Sequence, residues 1–64
     1  MWNLYRWSDK RAEWDMDRVV RVYGVQTYIE NKFGEGWHVS HDSLLNEFRI
    51  VSDDGNETYE LRKS

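Results

Sequence analysis

The chain has sixty-four residues, among them four Trp, four Tyr and two Phe, with no Cys and a formal charge of −3. A chain this short buries only about 60% of its unfolded surface, so its core has to come from a few large rings, each hiding roughly 150–250 Å². Lack of Cys excludes disulfide staples and thiolate chemistry, and no stretch approaches the roughly 20 apolar residues of a membrane span.

Trp2 to Trp7 is aromatic-rich and reads as a strand, with either Trp2 and Leu4 or Tyr5 and Trp7 facing inward. Ser8 to Glu13 is charged, carries no periodicity and reads as a loop. From Asp15 to Phe33 the spacing predicts a helix: at about 100° per residue, Met16, Val19, Val20, Val22, Tyr23, Ile29 and Phe33 fall on one half of the wheel. Asp15 is placed to cap the first turn, Asp17 to meet the helix dipole, and Trp14 to staple onto Val19. Gly34 suits the left-handed residue that ends a helix. Gly24 in mid-segment would cost about 1 kcal/mol relative to Ala, which keeps open a kink or a break there. The β-branched Val19, Val20 and Val22 keep open a strand over Arg18 to Tyr23. The single helix leads because cap, staple and terminal glycine agree.

The C-terminal third predicts a β-hairpin. Asp54-Gly55 is a favoured dipeptide for a two-residue type I′ turn, and centring the turn there pairs Asp53 with Asn56, Ser52 with Glu57, Val51 with Thr58, Ile50 with Tyr59, Arg49 with Glu60, Phe48 with Leu61 and Glu47 with Arg62. Apolar then meets apolar on one face and opposite charges meet on the other, a match that a slip of one residue destroys. A tight turn around Ser43-Leu44 adds an earlier strand, with Val39 opposite Phe48 and Trp37 opposite Ile50. The expected architecture is a single α+β domain over residues 1–64, a β-α-β-β-β two-layer mini-domain with one helix packed on a mainly antiparallel four-stranded sheet. The first strand is left beside either the second or the fourth.

No catalytic, metal or cofactor site is expected. His38 and His41, three apart in a strand, point to opposite faces, and the chain offers no His-x-x-x-His or Cys-x-x-Cys spacing of the kind zinc sites use. Its serines, at 8, 40, 43, 52 and 64, make no triad spacing with the two His. Asp53 and Asp54 sit at a wet turn that cannot tune a carboxyl for acid-base work. The four glycines form no phosphate-cradling pattern. A pocket of the roughly 300 Å³ or more that small ligands need is not expected from so thin a domain.

Two binding surfaces remain. Arg18, Arg21, Val25, Tyr28 and Lys32 stack as one stripe on the solvent side of the predicted helix, able to meet an acidic protein surface or to hold phosphates while Tyr28 stacks on a base. Asp53, Asp54 and Glu57 form an acidic hairpin tip, near Leu44 and Leu45 on the neighbouring turn, that could steer the chain toward a basic partner. The outer sheet face, with His38, Ser40, Glu47, Arg49, Val51, Thr58, Glu60 and Arg62, is expected to be polar and uncovered. Charge is uneven: residues 1–33 carry six cations against five anions, residues 34–64 three against seven.

The expectation is a non-enzymatic binding or regulatory module, inhibitor- or adaptor-like, that docks on another protein. The alternative is a nucleic-acid-binding mini-domain using the basic helix face, which the net negative charge disfavours. No membrane partner is expected; a homodimer through an exposed strand edge is a third option. With no apolar run at Met1–Arg6 the expected location is cytoplasmic. Small, acidic, Trp-rich chains are a style common among products of phages and mobile elements, but no motif ties this one to a family.

Overall fold

Residues 2–20, where the sequence predicts a strand and the first turns of a helix, instead form two paired strands. In the computed structural model, which describes residues 1–64, the elements are β1 (Trp2–Ser8), β2 (Glu13–Val20), α1 (Val25–Lys32), β3 (Trp37–Asp42), β4 (Glu47–Ser52) and β5 (Thr58–Lys63). This is a small α+β domain of one helix and one five-stranded sheet ordered β2-β1-β5-β4-β3, every pair antiparallel. The four-stranded β-α-β-β-β expectation is therefore corrected by one strand, gained from the N-terminal half of the predicted helix.

The reason lies in what β1 offers. Val20 is buried opposite Trp2, and Trp14 lies opposite Trp7 with ring centroids 5.3 Å apart. β-branched Val19 and Val20 fit the pleated surface better than a helix, and Trp14 gains an edge-to-face aromatic partner instead of a staple. The turn joining the strands closes with Ala12 in the left-handed region at φ 52°, while the Ser8 hydroxyl accepts from the Arg11 N–H. Gly24, far from interrupting a helix, is the N-cap of α1, and its carbonyl accepts from the Tyr28 N–H at 3.1 Å. Of the predicted apolar stripe, Met16 and Val19 are half exposed and Tyr23 fully so. The helix stop stands where expected, with Gly34 at φ 66° just beyond Phe33.

The β4–β5 register matches the sequence expectation at five of the seven pairs, from Glu47↔Arg62 to Val51↔Thr58; the Ser52 N–H still donates to the Glu57 carbonyl, while Asp53 and Asn56 lie outside the strands, in the connection. Its turn differs. Only Gly55 has positive φ, at 75°, and its N–H donates to the Ser52 carbonyl at 2.8 Å, so the turn is centred on Asp53-Asp54 with Gly55 as its left-handed exit rather than being type I′. The β3–β4 pairing is displaced by two residues, with Val39 opposite Ile50 and Trp37 opposite Ser52. The connection there is longer than the tight turn expected: it runs Ser43–Asn46, Asn46 takes φ 52°, and the Asp42 carboxylate accepts from the Leu44 and Leu45 N–H groups. A shift of two preserves the faces, so Trp37 and Val39 keep the side they were assigned.

β1 lies beside β5, which settles the placement left open, and Trp2 and Leu4 face inward. Leu4, Ile50 and Leu61 are fully enclosed; with Trp2, Val20, Phe48 and Ile29 of α1 they make the core, and Val25, Tyr28, Phe33, Trp37 and Tyr59 pack against it. The rings of Phe33, Trp37 and Tyr59 meet at 4.9–5.8 Å. Phe48, Ile50, Tyr59 and Leu61 thus share one side of the ribbon, and Ile29 of α1, burying a side chain worth roughly 1.5–3 kcal/mol, belongs to the same buried cluster. No helix is long and apolar enough to cross a membrane.

Candidate docking surfaces

The sheet face opposite the buried Leu4, Ile50 and Leu61 has two halves that differ. On β3 and β4 it shows His38, Ser40, Glu47, Arg49 and Val51, the polar face the sequence predicts. On β1 and β2 it shows Tyr5, Trp7, Trp14, Met16 and Val19, because the pairs Trp7↔Trp14, Tyr5↔Met16 and Asn3↔Val19 lie on the face opposite Leu4 and Trp2. Met16 is 50% exposed and Val19 48%. Between the halves stands a charged cluster. Glu60 on β5, only 6% exposed, accepts from both Arg49 and Arg62. Arg62 lies over the Tyr5 ring at 4.4 Å and within 5.5 Å of the Trp14 ring centre, and Arg49 approaches Trp14 at 6.0 Å. Cations over aromatic faces and a carboxylate beneath them lock one another in place. The result is a fixed surface of rings and guanidinium planes.

Sequence reasoning missed this patch because it assigned Met16 to a helix and Trp14 to the staple that precedes it. The signal present was symmetry: Trp7 and Trp14 stand equally far from the centre of a polar loop, the position of a cross-strand pair.

The five residues of the predicted basic stripe do not share one helix. Arg18 is on β2, Arg21 lies in the connection to α1, and Val25, Tyr28 and Lys32 are on α1, with Val25 packed against the core. The fold still brings Arg18, Tyr28 and Lys32 together, with Val22, Thr27 and Asn31, around an open trough of about 620 Å³. That volume exceeds the expectation for so thin a domain, although the trough is shallow. Arg21 borders a separate hollow with Met1 and Tyr23. Arg18 is paired with Asp17 at 2.9 Å, which cancels its charge for any incoming phosphate. The Tyr28 hydroxyl is buried without a hydrogen-bond partner, and that burial pushes its pKa up, opposed by Arg18 and assisted by Asp17.

The acidic tip is ordered by its own bonds. Asp54 accepts from the Ser52 hydroxyl at 2.6 Å and from the Asn56 N–H at 2.9 Å, which holds its carboxyl below the ordinary value. Asp53 lies 2.9 Å from His38, and Glu57 3.3 Å from Arg6, so of the three acids two already have cationic or titratable neighbours. On the next turn Leu44 is 95% and Leu45 65% exposed. His38 and His41 do diverge: His38 stands on the outer face, whereas the His41 ring stacks on Phe48 at 4.4 Å and bonds Asn46.

Searches of protein-family models, curated proteins and solved structures found no match to this chain.

Proposed function

We propose that residues 1–64 act as one domain, with α1 and the inner sheet face as its two layers, and that it is a non-enzymatic module docking on another protein in an inhibitor- or adaptor-like way. The observation that carries this is the outer patch of Tyr5, Trp7, Trp14 and Met16 braced by Arg49 and Arg62. Trp, Tyr, Met and Arg are the residues enriched where proteins meet, and rigid rings lose little entropy on binding. Glu60 and Glu47 neutralise the two arginines, which favours a protein surface over a phosphate backbone. The helix trough, lined mostly by α1 residues, and the acidic tip are separate, secondary contacts.

The experiment is capture of the partner from native-host extract by the full chain, with identification by mass, followed by direct titration against Met16→Glu/Val19→Glu. Both positions are half exposed, so the thermal midpoint should hold while affinity falls by about 2 kcal/mol or more. Unchanged affinity would move the contact elsewhere. Mixed-sequence oligonucleotides are expected not to bind even at low salt; binding that Arg18→Glu/Lys32→Glu abolishes would establish the nucleic-acid reading instead.

A further inference from the structure

The sheet has two edges, and only one is protected. β2 is interrupted by a bulge that leaves Asp17 unpaired between Arg18 and Met16, and it carries Glu13, Asp15, Asp17 and Arg18 along its length. Bulges and charges are the devices by which natural sheets blunt an edge. β3 has no bulge in its pairing, no Pro and no Lys. Its residues from His38 to Asp42 are all exposed, Val39 retaining 49% of its surface. One side of its backbone bonds β4; on the other side no strand follows.

We propose that this edge pairs antiparallel with the same edge of a second copy, about a two-fold axis at Ser40, continuing the sheet from one molecule into the next. Directly opposed residues in an antiparallel ladder share a face, so a two-fold perpendicular to the sheet sets even-numbered residues of β3 against even-numbered ones. Outward-facing His38, Ser40 and Asp42 then read, in the reversed strand, as their own complement: His38 of each copy, whose Nε2 lies 2.9 Å from Asp53 of its own chain, meets Asp42 of the other with its second ring nitrogen available, and Ser40 meets Ser40. On the inner face the exposed Val39 side chain lies against His41 of the second copy, whose ring is already fixed on Phe48. No like charges face each other. Centring on Val39 instead leaves His38 opposite Ser40 and loses both His38–Asp42 pairings. A match of the strand to itself, repeated twice by the axis, is the property of an isologous interface, and it singles out a second copy over an unrelated strand. The edge pairing is independent of the outer patch proposed above and leaves that face open.

Sedimentation velocity of the full chain, from low micromolar to near millimolar concentration, is expected to show mass rising from monomer to dimer. His38→Asp, which sets two carboxylate pairs in opposition, should weaken the dimer about tenfold. Adding Asp42→Asn, which keeps an oxygen for the Leu44 and Leu45 N–H groups, should restore most of the loss. Val39→Lys should be monomeric with an unaltered circular dichroism spectrum. A wild-type chain that stays monomeric throughout would overturn the proposal, as would His38→Asp dimerising like the wild type. Should Val39→Lys fail to fold, the comparison of wild type, His38→Asp and the double variant decides.

Discussion

The two long hairpins of this sheet are built from equally good strand-formers, yet one is legible in the sequence and the other is not. In β4–β5 every residue keeps a period of two, so apolar and charged partners align in a single register. In β1–β2 the bulge at Asp17 inserts one extra residue. The outer face of β2 then runs Trp14, Met16, Val19, at spacings of two and three, and Val20 follows on the inner face. A gap of three or four between apolar residues is the spacing of a helix, so the bulge gives a strand the appearance of one.

Leu61 lies at the seam of the two hairpins, opposite Leu4 on one side and Phe48 on the other, with no exposed surface. Leu61→Ala is expected to cost about 2–5 kcal/mol, the largest effect of those proposed here, read from denaturant midpoints. If the sheet is continuous through this seam, Leu4→Ala should cost a similar amount. A Leu4→Ala effect much below that of Leu61→Ala would mean that β1–β2 is only loosely attached.

The outer seam is Glu60. Glu60→Gln removes the charge that Arg49 and Arg62 share while preserving volume, and is expected to destabilise by about 1–3 kcal/mol. Because Arg62 covers Tyr5 and Trp14, the tryptophan emission should shift with it. Loss of stability without any spectral change would separate the ion pairs from the aromatic patch.

What the sequence made legible follows from which interactions are local. The β4–β5 register, the faces of β3, the stop at Gly34 and the inward side of Phe48 and Ile50 all rest on neighbouring strands or single turns. The nature of β2 rests on pairing with β1, whose inward face the sequence leaves open, and on a bulge at Asp17 that breaks the period-two pattern. The basic stripe failed for the same reason: Arg18, Tyr28 and Lys32 do converge, but through a fold in the chain at Gly24 and not through helical spacing. The aromatic patch stayed hidden because its residues join only once β2 is a strand.

The turns sharpen the comparison further. Gly55 adopts φ 75°, and Gly55→Val should cost about 1–2 kcal/mol by forcing a β-branched side chain into the left-handed region. Ala12 stands in the same region at φ 52° in the other hairpin. Ala12→Gly should therefore raise the thermal midpoint, with a net gain up to about 1 kcal/mol after the added freedom of the unfolded chain is deducted. A lowered midpoint would show that the β1–β2 turn has another conformation in solution.

The smallest effect tests whether the legible turn is as ordered as its bonds imply. The Ser52 hydroxyl, first, and then the Asn56 N–H donate to Asp54 and hold its carboxyl below the ordinary value in the folded chain. A carboxyl depressed by folding contributes stability that is present above its unfolded pKa and is lost as pH falls through the folded one, so the contribution should fade only in the acid range below the ordinary Asp value. At this exposed tip it is small, and the direct readout is the Asp54 carboxyl titration by NMR. Ser52→Ala removes the principal donor and should move that titration upward toward the ordinary value. An Asp54 curve unaltered by Ser52→Ala would mean that the Ser52 bond is not formed in solution, leaving Gly55 alone to set the turn.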